Sequence, residues 1–189
     1  MDSLQDRTQH VILETNRLRF ATWIREDWEE FQKIATDPLV VRYLGTGVPW
    51  PEERVKEFVN RQCESWDKNG FCLWKVLPKE GDTLIGICGL QRLPEGPEVE
   101  IAWWLAPAYW GKGLATEAAR QALAYGFEVS KLDRIVAIAQ AANRDSLRVM
   151  EKIGMRFERE AVHKGIRVVL YAIEREHFNA EKAKGEEGV

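Results

Sequence analysis

The segment Leu105-Ala-Pro-Ala-Tyr-Trp-Gly-Lys-Gly-Leu-Ala-Thr116 has the residue types and spacing to hold an anion. Gly111 and Gly113 can take backbone angles that other residues resist, and they let a ligand approach the main chain. The segment joins a strand pattern to a helical one, and the first N–H groups of a helix have no internal partner. The helix dipole adds partial positive charge at the same place, so the turn suits a pyrophosphate. A glycine turn without a ligand is the plain alternative, although Lys112 between two glycines is an unusual choice for one. A dinucleotide fingerprint would want a third glycine where Thr116 stands, and an acid ending the next strand about 20 residues on. Asp133 is at that distance but precedes its strand, and no GxxxxGK[ST] phosphate loop is present. Residues 111–152 carry seven Lys/Arg and five Asp/Glu, a small local excess of +2 in a chain of net −3.

The elements that must position this turn follow from periodicity. Val11–Trp23 alternates as a strand, and Arg25–Thr36 carries Trp28, Phe31 and Ile34 at helical spacing until Asp37-Pro38 stops it. Tyr43–Trp50 is a loop rich in aromatics, and Pro51 opens a second amphipathic helix that ends near Asn69-Gly70. Strands are expected at Phe71–Leu77, Thr83–Gln91 and Glu98–Leu105, the last placing Glu98, Glu100, Ala102 and Trp104 on one face. Gly113–Val129 reads as a helix whose small face, Ala115, Ala119, Ala122 and Gly126, allows close approach to a sheet. Arg134–Ala139 is an apolar strand of the kind buried on both faces. Asn143 caps a helix through Ile153 with Gly154 as its stop, and Met155–Val162 and Arg167–Ile173 form a final pair turning at Lys164-Gly165. The order is βααβββαβαββ, a mixed α/β sheet in one domain over 11–178, with flexible ends at 1–10 and 179–189.

Composition narrows the function classes. With 45% hydrophobic residues and eight Trp in 189, the chain has material for a sizeable core. A net charge of −3 argues against a dedicated nucleic-acid binder. Cys63, Cys72 and Cys88 are spaced neither as a zinc site nor as a redox pair, which suits a reducing cytoplasm. No His/Cys/Asp cluster suggests a metal, and no apolar run approaches the ~20 residues of a membrane span.

The sequence resembles the GCN5-related N-acetyltransferase (GNAT) superfamily, most closely its ribosomal-protein-alanine (Rim-type) branch. Trp110, Gly113 and Ala115 occupy the marked places of the superfamily's Q/R-x-x-G-x-G/A turn, with Trp110 matching the WGKG variant of that branch. Glu14-Thr-Asn-Arg17-Leu-Arg-Phe20 is similar to the branch's T-x-R-L-x-L opening. Asn143-Arg-Asp-Ser146-Leu-Arg-Val-Met-Glu-Lys152-Ile-Gly154-Met is similar to its N-x-x-S-x-x-V-x-E-K-x-G-F helix, with Met155 for the usual Phe. The resemblance implies a cytoplasmic, bacterial-type acetyltransferase using acetyl-CoA and no metal. It acts on a small-molecule amine or a protein N-terminus, as a monomer or homodimer, with neither nucleic acid nor membrane as partner. It also implies strands splayed around the pantetheine arm, which pairs with the main chain of Leu105 and Ala106 and touches the Asn143 side chain. Main-chain N–H groups of Gly111, Lys112, Gly113, Leu114, Ala115 and Thr116 then bind the pyrophosphate.

Acetyl transfer needs a neutral amine. At an ammonium pKa of ~10.4, about one amine in 2,500 is free at pH 7, equivalent to ~4.6 kcal/mol, whereas an α-amine near ~8 is easier to deprotonate. A carboxylate can take the proton, directly or through water. Glu100 is the candidate base because it falls where the branch has Glu in E-I-G-Y-W-L, here Glu100-Ile-Ala-Trp-Trp-Leu105, with Glu98 as competitor. Ser146 is the candidate for protonating or steadying the CoA thiolate, or a helix-cap hydroxyl, since Met150 stands where many members have a tyrosine. Tyr43, Trp50 and Trp104 are candidates for the acceptor pocket, with the Tyr43–Trp50 loop as a lid. A non-catalytic acyl-CoA sensor of the same fold is the alternative.

Overall fold

In a computed structural model, described over residues 10–94 and 96–186, one eight-stranded sheet carries helices on both faces. Its strands are β1 (Val11–Glu14), β2 (Leu18–Ala21), β3 (Leu73–Pro78), β4 (Gly86–Arg92), β5 (Val99–Leu105), β6 (Arg134–Ala139), β7 (Arg156–His163) and β8 (Ile166–Glu174), in the spatial order β1-β2-β3-β4-β5-β6-β8-β7. All neighbours are antiparallel except β5 and β6. The helices are α1 (Trp28–Ala35), α2 (Pro38–Val41), α3 (Glu52–Asn69), α4 (Leu114–Ala124), α5 (Arg144–Lys152) and α6 (Arg175–Glu186). The mixed α/β expectation holds, with three local corrections.

The pattern over Val11–Trp23 predicts one strand, but the chain folds back into β1 and β2. Thr15 makes the turn: its N–H donates to the Leu18 carbonyl at 2.8 Å, and its hydroxyl accepts from the Leu18 N–H at 3.0 Å. Asp37-Pro38 ends α1 and also starts α2, since Asp37 accepts from the Leu39 N–H at 2.8 Å and proline is favourable at a first helical position. The segment from Asn179, expected as a loose tail, is helical as far as Glu186. Phe178 packs on Phe127 at 5.0 Å and anchors the first turns of α6. Residues 1–9 and 187–189 of the expected flexible ends lie outside the described residues.

The small face of α4 has a measurable reason. A Cβ at Gly126 would stand 2.6 Å from Ile135 Cδ1 and 3.0 Å from Leu90 Cδ1, so any larger residue would have to push these side-chain ends aside, and glycine lets the segment lie close on the sheet. Ala118, Ala119 and Ala122 are fully buried beside it. After Ala124 the helix widens into a π turn over Tyr125–Val129, where the Tyr125 hydroxyl donates to the Gly70 carbonyl at 2.7 Å. On the opposite face, Trp23, Phe31, Trp50, Phe58 and Trp104 form one aromatic cluster between α1, α3 and β5.

Candidate active site

β5 runs beside β4 in register from Val99 to Leu105, and β6 runs beside β8 from Arg134 to Ala139. Between β5 and β6 the register holds at one position only, Glu100 opposite Val136. Towards their C-terminal ends the two strands no longer pair. The sheet opens there, leading to the turn between β5 and α4.

In that turn Gly111 and Gly113 have φ of +71° and +75°, the left-handed region that disfavours side chains. Gly113 is the N-cap of α4 and brings no capping side chain. The contrast with α5 is informative: Asn143 Oδ1 accepts from the Ser146 N–H at 3.3 Å and closes that helix start. The start of α4 thus presents main-chain N–H groups that no N-cap side chain engages. Trp110 is half-exposed, and its indole donates to the Leu105 carbonyl at 2.6 Å, closing the turn on itself. Lys112 is exposed, with its ammonium 5.5 Å from the Tyr109 ring centre. Leu114 is buried, and Ala115 and Thr116 are half-buried.

The expected pantetheine contacts are already engaged within the chain. The Ala106 N–H donates to the Ile85 carbonyl at 2.8 Å, and the Ala106 carbonyl accepts from Tyr109 at 2.9 Å. A carbonyl has two lone pairs, so the Leu105 and Ala106 oxygens keep capacity for a second donor. Asn143 spends its carboxamide oxygen on the α5 cap, which leaves its NH2 for a ligand.

Glu100 is buried at 6% exposure and accepts from Gln91 Nε2 at 2.6 Å across the β4–β5 pair. Glu98 is drawn elsewhere: Arg134 lies 3.4 Å from it and 2.6 Å from both Glu158 and Glu174. Burial opposes the Arg134 charge, but these carboxylates outweigh it and raise its pKa. Ser146 is half-buried in the first turn of α5.

On the Glu100 side, Trp104 stacks on Phe31 and Phe58 at 5.9 and 5.8 Å and meets Trp50 edge-on at 4.9 Å. Trp50 is buried, with the Arg54 guanidinium 4.1 Å above its ring. Tyr43 is half-buried beside Arg42. The loop that carries it is tethered, since Gln140 Nε2, just after β6, donates to the Tyr43 and Gly45 carbonyls at 3.2 Å. Among the expected pocket residues, Trp50 and Trp104 are in contact, and Tyr43 is tied to the end of β6.

An open cavity of about 730 Å³ flanks the turn, lined by Arg17, Gly113, Thr116, Glu117, Arg120 and Lys152 among others. It lies by the start of α4, and Glu100 does not line it. Sequence spacing alone gives no role to Gln91, Gln140, Arg17 or Glu117. Gln91 and Arg17 do fall in strand patterns, but their partners lie across the sheet or 100 residues away.

An acetyltransferase (GNAT) domain model matches residues 17–156. The chain is a GNAT-family N-acetyltransferase. The uncharacterized N-acetyltransferase YnaD of Bacillus subtilis (strain 168) is 37% identical to this GNAT enzyme over 145 residues, covering 76% of this chain and 82% of its own. The spermidine N(1)-acetyltransferase of Escherichia coli (strain K12) is 28% identical over 145 residues, covering 74% and 73%. The crystal structure of a GNAT-family acetyltransferase from Bacillus anthracis superposes with a TM-score of 0.74 at 33% identity, covering 87% of this chain and 98% of that one. The GNAT membership and mixed-sheet fold expected from the three sequence motifs are therefore borne out.

Proposed function

We propose that this enzyme transfers the acetyl group of acetyl-CoA to a primary amine by direct attack, with Glu100 as general base. The observation that carries the reading is the single β5–β6 register pair at Glu100–Val136, from which the sheet opens towards a helix start with no side-chain cap. In this reading the pantetheine arm lies in the opening beside Leu105, Ala106 and Asn143. The pyrophosphate meets the N–H groups of Gly111–Thr116 and places the thioester near Glu100.

The amine loses a proton to Glu100, its nitrogen bonds to the acetyl carbon, and the carbon–sulfur bond breaks. Ser146 steadies the departing thiolate with a hydrogen bond, and the proton taken up by Glu100 is released to solvent. Glu100 is preferred to Glu98 because Glu98 is held in the Arg134 cluster, whereas Glu100 stands at the fork of the two strands. The acceptor approaches beside the partly buried Trp104, whose ring is backed by the buried Trp50, and under the tethered Tyr43 loop. The amine is carried by a small molecule or a protein N-terminus, and the activity of the spermidine relative supports an amine acceptor. A cytoplasmic location belongs to the same proposal.

The test is incubation with acetyl-CoA and a panel of polyamines, amino acids and N-terminal peptides, followed by mass spectrometry and thiol release. The expected result is one acetyl group gained per thiol released on at least one primary amine. CoA binding with no thiol release from any acceptor would overturn the proposal and leave an acyl-CoA-binding protein without turnover.

A further inference from the structure

The turn between β1 and β2 lies against the phosphate turn, although 100 residues separate Arg17 from Glu117. Arg17 Nη1 donates to the Lys112 carbonyl at 2.9 Å, and Nε and Nη2 each stand 2.6 Å from Glu117 Oε2. The Arg17 main-chain N–H and the Thr15 hydroxyl donate to the other oxygen, Oε1, at 3.0 and 2.6 Å.

Two physical consequences follow. A trans peptide is planar, so its C=O and the following N–H point to opposite sides. Holding the Lys112 carbonyl towards Arg17 therefore aims the Gly113 N–H away from Arg17, and fixes the peptide that leads into the left-handed Gly113. Glu117 sits in the first turn of α4, where a carboxylate complements the helix dipole but repels an incoming pyrophosphate. The donors from Thr15 and Arg17 neutralise that carboxylate and hold it on the β1–β2 side.

We propose that Arg17 is a positioning residue for the donor's pyrophosphate, orienting the Lys112–Gly113 peptide and, together with Thr15, neutralising Glu117. The inference rests on the acetyl-CoA reading of the turn. It deepens that reading by assigning a task to residues that need not touch the donor. Because the Arg17 side chain is 51% exposed, the effect is that of one weakened charge-assisted hydrogen bond, about 10-fold in affinity.

The experiment compares the parent with Arg17→Ala, Arg17→Lys and the double variant Arg17→Ala/Glu117→Gln. It measures CoA binding by calorimetry and kcat/KM with acetyl-CoA and with S-acetylpantetheine, which has the thioester arm but no pyrophosphate. Arg17→Ala is expected to lower the ratio of kcat/KM for acetyl-CoA to that for S-acetylpantetheine by about 10-fold. Adding Glu117→Gln should recover at least ~3-fold, since it removes the repelling charge. Arg17→Lys keeps a charge but cannot span both partners, so the same ratio should fall about 3-fold even where the alanine variant fails to fold. An unchanged ratio in the Arg17 variants, with both donors affected equally or not at all, overturns the inference. A parent that does not bind CoA overturns the reading of the turn itself, which is a different failure.

Discussion

Replacing Glu100 with glutamine removes the proposed base while keeping nearly the same shape. The wild-type carboxylate is buried at 6% exposure and accepts from Gln91 Nε2 at 2.6 Å. A glutamine carbonyl can accept from the same amide, so the β4–β5 pair keeps its cross-strand bond. Losing the charge on the Gln91 hydrogen bond costs about 1 kcal/mol, and relieving the burial of a carboxylate offsets much of it. At about 2–4 °C per kcal/mol for a chain of this size, Tm should move by less than about 4 °C. Catalysis should respond far more: positioned general bases contribute about 10²–10⁴-fold, or roughly 3–5 kcal/mol of barrier. The assay is thiol release with a responsive amine, giving kcat and KM for acetyl-CoA across about pH 6–9. A drop in kcat of about 10²-fold or more, with KM for acetyl-CoA changed less than about 3-fold, is expected. A rate equal to that of the parent across that range would remove Glu100 as the base. Glu98→Gln serves as the contrast, because its partner is Arg134 and it should leave kcat within about 3-fold of the parent.

Other consequences rest on single contacts. Lys75 is 3% exposed and reaches Asp27 Oδ2 at 2.6 Å, so Asp27→Ala strands a buried ammonium and should cost about 3 kcal/mol; a fall in Tm of less than about 3 °C would contradict this. Trp50 Nε1 is buried with no hydrogen-bond partner among the described residues. Trp50→Phe deletes that donor and should therefore change unfolding free energy by no more than about 1 kcal/mol, a larger loss in denaturant melts counting against the assignment. Burial pushes the Glu117 carboxyl up, but hydrogen bonds from Thr15 and Arg17 and the Arg17 charge outweigh it and hold its pKa below the ordinary 4.5. Its stabilising contribution is therefore complete above that value and is lost as pH falls through it and then through the lower folded value. Glu117→Gln should flatten the acid limb of a Tm-against-pH curve, and an unaltered limb would refute that linkage.

What the sequence discloses depends on how far apart the partners lie. The Asn143 cap, the stop at Gly154 and the Lys164-Gly165 turn are local, and all three stand where the residue types predict. The small face of α4 is visible as a spacing of Ala and Gly, although only the structure shows that Ile135 and Leu90 press on Gly126. The β1–β2 fold-back is missed because alternation is the same on both sides of a three-residue turn, while the deciding bonds at Thr15 are side chain to main chain. Arg17 lies inside a recognisable motif, yet its contacts with Lys112 and Glu117 cross 95 and 100 residues. No pattern of local spacing carries that information. The same limit applies to Glu98 and Glu100: both lie on one strand face, and only the placement of Arg134 separates them. The engagement of Leu105 and Ala106 by Trp110, Ile85 and Tyr109 is likewise invisible to the motif that marks them as donor contacts.

The most direct test is a crystal structure of the enzyme with acetyl-CoA bound. The expected result has pyrophosphate oxygens within hydrogen-bond distance of the Gly111–Thr116 N–H groups, the pantetheine arm in the opening between β5 and β6, and the acetyl carbonyl nearer to Glu100 than to Glu98. A donor bound away from that opening, or a thioester that leaves Glu100 out of reach of an attacking amine and of any bridging water, would contradict it.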